Sequence, residues 1–209
     1  MAAHLEEQQE LENFKHFWKS WGRWLFGLLV AGAVGYFGWT VYQNHKESQN
    51  HEAAAVLVSL AEKAQAGGDE KAVNADLQNL QQNYPDSISA AQASMMVAGS
   101  EFDKGRYDAA EAHLAWVLKH QKAPFVQALA VQRLAVVQLQ QKKYDAALAT
   151  LNTPVEAAFA SSIEETRGDV LFAQGKTKEA LAAYESALAK LPEQDGAREL
   201  LQLKADALK

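Results

Sequence analysis

The chain has 209 residues, a formal net charge of −6 and no cysteine. The lack of cysteine excludes disulfides, thiolate metal sites and a lipid-modified cysteine, and the acidic balance leaves no basic footprint for nucleic acid. The length allows one membrane anchor and one domain of about 150 residues, and the alanine-rich, proline-poor composition favours an all-α fold.

Residues 1–23 form the predicted cytoplasmic tail, whose first half is acidic. We interpret this half either as part of a weakly amphipathic helix that approaches the membrane or as a frayed end. The acidic residues are Glu6, Glu7, Glu10 and Glu12.

The stretch Trp24 to Tyr42 has 19 residues without a charged side chain, a histidine, an amide or a proline. As a helix it would be about 28 Å long, close to the ~30 Å hydrocarbon core of a bilayer. Aromatic residues stand near both of its ends, as in the aromatic belts of spanning helices. We therefore predict a single transmembrane helix at 24–42 that contacts the lipid bilayer.

The charges around this stretch predict its orientation. Lys15, Lys19 and Arg23 precede it, whereas Lys46 alone follows closely. This bias keeps the N-terminus in the cytoplasm and sends the C-terminal part across the membrane. A cleaved signal peptide is the alternative, but the faint A-x-A site at 31–33 lies inside the apolar run, so an uncleaved anchor fits better. An apolar element of a soluble fold is disfavoured by length and flanks.

Small residues recur every four positions in this helix, at Gly27, Ala31 and Gly35. This spacing indicates either a helix contact inside the membrane or ordinary small residues on a lone anchor.

Residues 43–66 form the predicted exit helix and first helix of the domain. No glycine or proline occurs at 39–66, so we expect a helix over about 18–66, either bent at 43–50 or replaced there by a short polar linker. The segment Gly67-Gly68-Asp69 then ends the helix as a C-cap and turn.

A pattern of a small residue, a turn, an alanine and a large apolar residue recurs over residues 54–209. The turn positions Gly68, Gly105, Lys142 and Gly175 are 37, 37 and 33 residues apart. This is close to the ~34-residue period of tetratricopeptide repeats, so we predict a helical solenoid of that type. Because Lys142 replaces glycine, we expect a slightly different turn there. The predicted repeats lie near 54–87, 91–124, 128–160 and 161–194, with a capping helix at 195–208.

Small residues are placed on both helices of each pair, and two helices approach closely only where both present small side chains. On the first helices these are Ala98, Ala135 and Gly168, and on the second Ala110, Ala147 and Ala180. Large residues are expected to fill the spaces between pairs, namely Tyr107, Tyr144, Leu114, Leu151 and Tyr184.

The ends of the solenoid need their own packing. We expect the junction 154–162 to bend, with Phe159 packing it. The last helix is expected to begin with Asp195 as its N-cap and to cover the solenoid end. Its leucines are Leu200, Leu201, Leu203 and Leu208.

No catalytic pattern is present in the sequence. The six histidines form no HExxH motif and no histidine–carboxylate cluster at ligand spacing. His113 and His120 are seven residues apart, too far for one metal without a third ligand. We therefore predict no enzyme, no cofactor and no metal site.

Binding is the remaining option, because the first helices of stacked pairs line a concave surface. The candidate partner-binding residues on it are Met95, Phe102, Gln132, Val136, Leu139, Asp169 and Phe172. Methionine and aromatic side chains make adaptable apolar contacts, although these positions could also be core, above all Val136 and Leu139. Trp116 is expected either to point outward as a binding hot spot or to pack against the long first helix.

Four segments carry a wider resemblance: FWKSWGRWLFGLLVAGAVGYFGW, QNHKES, LAVVQLQQKKYDAALATL and RGDVLFAQGKTKEALAAYESAL. Together with the acidic tail they resemble the YfgM-type ancillary subunits of the bacterial Sec translocon over essentially the whole chain. Met95 and Met96 depart from the plainer leucines expected there. The resemblance implies a single-span inner-membrane protein with a periplasmic repeat domain. It also implies partners: the SecYEG channel, a membrane-anchored periplasmic chaperone of prolyl-isomerase type, and secreted or outer-membrane clients.

The leading hypothesis is thus a membrane-tethered interaction protein beside the Sec translocon. The rival is a repeat scaffold for another envelope complex, such as cytochrome maturation or outer-membrane protein insertion. An enzyme is the third hypothesis, and a tightly bound metal or cofactor would revive it.

Overall fold

The computed structural model describes residues 15, 18–67 and 69–209. All regular elements in these ranges are helices, which confirms the predicted all-α class. The chain divides after Gln49 into an N-terminal and a C-terminal unit, which are described in turn. Most of the predicted cytoplasmic tail lies outside the described residues.

The N-terminal unit contains a π-helical turn, Trp18–Gly22, and the first part of helix α1, Arg23–Gln65. The predicted membrane-spanning residues 24–42 lie wholly within α1, and apolar side chains are exposed all along them, Trp24 by 78% and Leu28 by 74%. The Thr40 hydroxyl donates a 2.9 Å hydrogen bond to the Tyr36 carbonyl, so this polar group is satisfied inside the helix. By length and composition, the segment is therefore long enough and apolar enough to cross a membrane.

Residues 43–50 are α-helical within α1. The alternative of a polar linker in this stretch is therefore wrong.

The C-terminal unit begins with the end of α1 and continues as consecutive helices that pack against their neighbours in the chain. The pairs α3/α4 and α5/α6 begin at Ile88 and Pro124, a few residues before the predicted starts at 91 and 128. The helices are α2 (Glu70–Asn83), α3 (Ile88–Asp103), α4 (Tyr107–His120), α5 (Pro124–Gln140), α6 (Tyr144–Thr150), α7 (Ala160–Ala173), α8 (Thr177–Lys190) and α9 (Ala197–Asp206).

Side chains join the end of α1 to α2. The Asp76 carboxylate accepts hydrogen bonds from Lys63 Nζ at 2.6 Å and from Ser59 Oγ at 3.1 Å. The Tyr84 hydroxyl donates to Glu52 Oε2 at 2.9 Å. The end of α1 thus belongs to the first helix pair of the domain.

The turns inside the pairs share one geometry. Gly105, Lys142 and Gly175 have φ values of 73°, 59° and 82°, in the left-handed region. The next residue donates its backbone N–H to the carbonyl five positions back, which closes a Schellman motif. These bonds are Arg106 to Glu101 at 2.8 Å, Lys143 to Gln138 at 2.8 Å and Lys176 to Leu171 at 2.9 Å. The expectation of a different turn at Lys142 is therefore wrong: the lysine adopts the conformation of the glycines.

The first turn falls within the predicted segment 67–69. Gly67 has a φ of 65°, while the predicted turn residue Gly68 lies outside the described residues. Asp69 then caps α2, since its carboxylate accepts from the Lys71 backbone N–H at 3.0 Å.

Buried clusters between the helices form the core of the domain. Ala98 and Ala110 lie in one cluster and Ala135 and Ala147 in the next, all at most 2% exposed. The close approach that these small residues permit accounts for their recurrence in the sequence.

The junction and the end of the solenoid differ in detail from expectation. Val155 packs the junction against the core cluster of α5, α6 and α7, and Phe159 in the same junction is half-buried. The N-cap of α9 is Gly196 rather than Asp195, so that expectation is wrong by one residue. The Asp195 carboxylate still accepts from the Ala197 backbone N–H at 2.9 Å, at the start of the helix. Of the four leucines near the C-terminus, Leu201 and Leu208 pack against α8, whereas two are exposed. The exposed pair is Leu200 and Leu203, at 58% and 67%.

Candidate functional site

An apolar groove of about 420 Å³ runs between α3 and α5, with Leu114 of α4 in its floor. This α3–α5 groove is formed by the first helices of two successive pairs, the face that a stacked solenoid presents as its concave surface. The predicted residues that line it are Met95, Phe102, Gln132 and Val136.

Three of these four side chains have defined contacts with their surroundings. Met95 is 5% exposed and joins the core beneath the groove. The ring of Phe102 meets Tyr107 edge to face, with 5.3 Å between centroids. Gln132 Nε2 donates to Thr166 Oγ1 at 3.3 Å. Contacts within the protein thus position these three side chains along the groove.

Two other predicted residues pack into the structure instead. Leu139 packs against the cluster that contains Ala135, so it belongs to the core. Trp116 is half-buried, packs against the cluster that contains Leu60 of α1, and stacks on His120 with 4.4 Å between ring centroids. The interpretation of Trp116 as an exposed hot spot is therefore wrong.

The remaining two predicted residues lie on α7, outside the α3–α5 groove. Phe172 is 54% exposed. The Asp169 carboxylate accepts from the Tyr184 hydroxyl at 2.7 Å and from Lys204 Nζ at 2.9 Å. Burial and this hydrogen bond raise the pKa of Tyr184 above its usual range, so the phenol stays protonated. Asp169 therefore fastens α9 to the last helix pair.

Sequence reasoning missed several residues that line the α3–α5 groove, among them Met96, Gly99 and Arg133. Met96 is 39% exposed and also lines a second groove of about 340 Å³ beside the end of α1, with Leu60 and Val73. The signals were present in the sequence, because Gly99 is the one glycine within α3 and Arg133 the one charged residue of α5.

The rim of the second groove is charged but internally paired. Glu70 accepts from Lys104 at 2.6 Å and from Arg106 at 3.0 Å, and Arg106 also bonds to Glu101. The hydrogen bond from Lys104 is the main cause that lowers the pKa of Glu70, and the bond from Arg106 lowers the pKa of Glu101. These carboxylates stay ionised as parts of fixed ion pairs, which suits a structural role.

Within the described residues, no three histidines or carboxylates lie close enough to hold a metal ion. Burial lowers the pKa of His113, and His120 Nδ1 lies 2.9 Å from the Trp116 carbonyl oxygen. The α3–α5 groove itself contains apolar walls, one amide and one guanidinium. Such a lining can hold an apolar segment of another chain.

Comparison with known proteins places the chain in a family. The family model of the tetratricopeptide repeat-like domain matches residues 15–209. An ancillary SecYEG translocon subunit of Neisseria gonorrhoeae is 62% identical over 209 residues, which is all of both chains. The protein of the same name from Haemophilus influenzae is 30% identical, over 90% of this chain and 91% of its own length. The one from Escherichia coli is 26% identical, over 100% of this chain and 99% of its own length. No solved structure gives a significant match.

Proposed function

Because the chain belongs to the family of ancillary SecYEG translocon subunits, which carry a tetratricopeptide repeat-like domain, we propose that it works beside the Sec channel as a membrane-anchored interaction protein. The agreement with a relative over the full length of both chains supports this role. Neither the name of the family nor its repeat scaffold indicates a known class of enzyme.

The proposed location is the bacterial inner membrane, crossed once by residues 24–42 of α1. The N-terminus lies in the cytoplasm and the helical domain in the periplasm. Lys15 and Lys19 before the apolar stretch, against Lys46 after it, support this orientation.

The α3–α5 groove is the proposed contact surface, and its apolar, methionine-lined walls are the observation on which the proposal rests. Methionine side chains are flexible and polarizable, so one surface can accept apolar segments of different shape. A tether to the membrane raises the local concentration of the groove near the channel, so weak binding suffices. The proposed partners are Sec translocon subunits, a membrane-anchored periplasmic chaperone of prolyl-isomerase type, and secreted or outer-membrane clients.

Photocrosslinking in living cells tests this proposal. A photoreactive amino acid at Met96, which is 39% exposed at the groove, is activated by light before the membranes are solubilised. We expect adducts with a channel subunit, an envelope chaperone or a newly exported chain. The same group at Lys178, an exposed residue that does not line the groove, serves as the control and is expected to give fewer of them.

The result that would contradict the proposal is equally specific. Adducts from Met96 that contain none of these partners would count against it. Recovery of cytochrome-maturation or outer-membrane insertion subunits instead would support the rival scaffold.

A further inference from the structure

Arg133 has an unusual position in the α3–α5 groove. It is the one charged residue among the 17 of α5 and the one charged residue that lines this groove. Its side chain is exposed, and its neighbours in the groove wall are apolar. The groove therefore combines apolar walls with a single positive charge, in a protein whose net charge is −6.

The guanidinium of Arg133 has no hydrogen-bond or ion-pair partner among the described residues. The other arginines with described side chains all have one. Arg106 donates to Glu101, Arg167 to the Leu151 carbonyl at 2.9 Å and Arg198 to the Leu188 carbonyl at 2.9 Å. Arg133 thus differs from them in having its donors free for another molecule.

Binding in the groove would change the environment of this guanidinium. A segment that covers the apolar walls also removes water from the charge beside them. An unpaired charge is costly to desolvate, whereas a carboxylate satisfies the guanidinium with two charge-assisted hydrogen bonds. An apolar occupant with a carboxylate next to Arg133 is therefore strongly favoured over the same occupant without one.

The groove extends on both sides of Arg133. Leu129 lines it one turn earlier in α5, and Val136 and Val137 line it one turn later. An occupant that ended at the guanidinium with a chain-terminal carboxylate would leave half of this apolar wall uncovered. The carboxylate that fits is an acidic side chain inside the apolar segment.

The opposite wall has a gap at Gly99 that leaves room for such a segment. A Cβ added to Gly99 would meet no atom within 4 Å. Gly99 lies within α3 and lines the groove, so a larger side chain there would extend into open space. This position allows the groove to be blocked without disturbing the core.

We propose that the α3–α5 groove binds apolar protein segments that carry an internal acidic side chain, with Arg133 as the partner of that carboxylate. This inference rests on the proposed function, because it names the class of segment that the interaction protein takes. It gives the groove a preference among apolar segments, which apolar walls alone do not supply.

The test uses the full-length protein in lipid nanodiscs and fluorescent, C-terminally amidated apolar peptides of matched length. Their central residue is aspartate, asparagine or lysine, and empty nanodiscs provide the blank. We expect the aspartate peptide to bind about tenfold more tightly than the asparagine peptide, the size of one charge-assisted contact. Arg133→Glu should invert the order, so that the lysine peptide binds best.

Two further variants separate the groove from general electrostatics. Lys178→Glu makes the same change from positive to negative charge at an exposed residue outside the groove, and should keep the preference for aspartate. Gly99→Leu should weaken the binding of all three peptides, because the leucine side chain would occupy part of the groove. Circular dichroism melting curves verify that each variant folds like the unmodified protein.

Several results would overturn the inference. They are equal binding of the aspartate and asparagine peptides, no binding of either peptide, or the same loss of the preference for aspartate in Lys178→Glu as in Arg133→Glu. A fourth peptide, with central asparagine and a free C-terminal carboxylate, would also overturn it by binding as tightly as the aspartate peptide. If Met96 still crosslinks to Sec-associated chains in cells, the proposed function stands although this inference fails.

Discussion

The ring of Tyr184 lies against the backbone of Gly168, so closely that a Cβ at position 168 would be 2.3 Å from Tyr184 Cε1. Tyr184 is 3% exposed, and its hydroxyl bonds to Asp169, the neighbour of Gly168. The tyrosine therefore has little room to move away. Glycine at this position allows α7 and α8 to pack with a large aromatic ring between them.

Gly168→Ala should lower the free energy of unfolding by about 1–2 kcal/mol, since the cost of overpacking exceeds the gain in helix propensity. Urea denaturation followed by circular dichroism in detergent measures it. Gly99→Ala is the matched control: it is also a helical glycine, but its Cβ would meet no atom within 4 Å. This control should be neutral or stabilising by up to ~1 kcal/mol. Equal effects of the two substitutions would contradict the packing argument.

Lys142 adopts a φ of 59° at a turn where two other repeats have glycine. A side chain in the left-handed region costs about 1 kcal/mol of stability. Lys142 is exposed, and within the described structure it forms no ion pair that would offset this cost. Lys142→Gly should therefore raise the free energy of unfolding by about 0.5–1 kcal/mol. Its mirror variant, Gly105→Lys, should lower it by a similar amount. A shift of both denaturation midpoints in the same direction would show that the turn conformation does not decide stability.

Glu111 links α4 to the next helix pair, and its hydrogen bonds predict that the stability of the fold depends on pH. It accepts from the buried Gln138 amide at 3.0 Å and from Lys143 Nζ at 2.9 Å. The hydrogen bond from Gln138 is the largest cause that lowers the pKa of Glu111 below its ordinary value of 4.5. A lowered pKa in the folded state means that ionised Glu111 stabilises the fold above pH 4.5 and that this contribution is lost as the pH falls further.

Glu111→Gln should thus be less stable than the unmodified protein by about 1 kcal/mol at neutral pH, with the difference shrinking under acid. Urea titrations at a series of pH values measure this difference. Glu179→Gln, at an exposed carboxylate without a partner in the described structure, is the control and should leave the free energy of unfolding nearly unchanged at neutral pH. A Glu111→Gln effect that stays constant down through the acid range would refute the assigned role of the charge.

The periodic features of this fold were predictable from sequence because each repeat solves the same packing problem. Small residues such as Ala98 and Ala110, and the turn glycines Gly105 and Gly175, recur where helices approach or the chain reverses. Lys142 broke the pattern in residue type but not in conformation, since the Schellman bond from Lys143 to Gln138 is set by the backbone. The spacing of the repeats therefore predicted the architecture better than the type of residue predicted the conformation of each turn.

Side-chain environments were less predictable, because they depend on contacts between repeats. Trp116 is on an outward-looking position of its own helix, yet the neighbouring pair covers half of it. Leu203 belongs to the same apolar pattern as Leu201, but Leu201 packs against α8 whereas Leu203 is 67% exposed. Arg133 became informative only when the structure showed that it lines the α3–α5 groove without a partner among the described residues.

One helix is proposed to hold the interaction domain on the outer side of the inner membrane. Because the chain has no cysteine, single cysteines can be labelled without background. Lys178→Cys, on the exposed surface of the domain, and Ala3→Cys, in the N-terminal tail, are treated with a membrane-impermeant maleimide in spheroplasts. We predict labelling of Lys178→Cys in intact spheroplasts and of Ala3→Cys only after lysis. Protection of Lys178→Cys until lysis, or labelling of Ala3→Cys before it, would contradict the account.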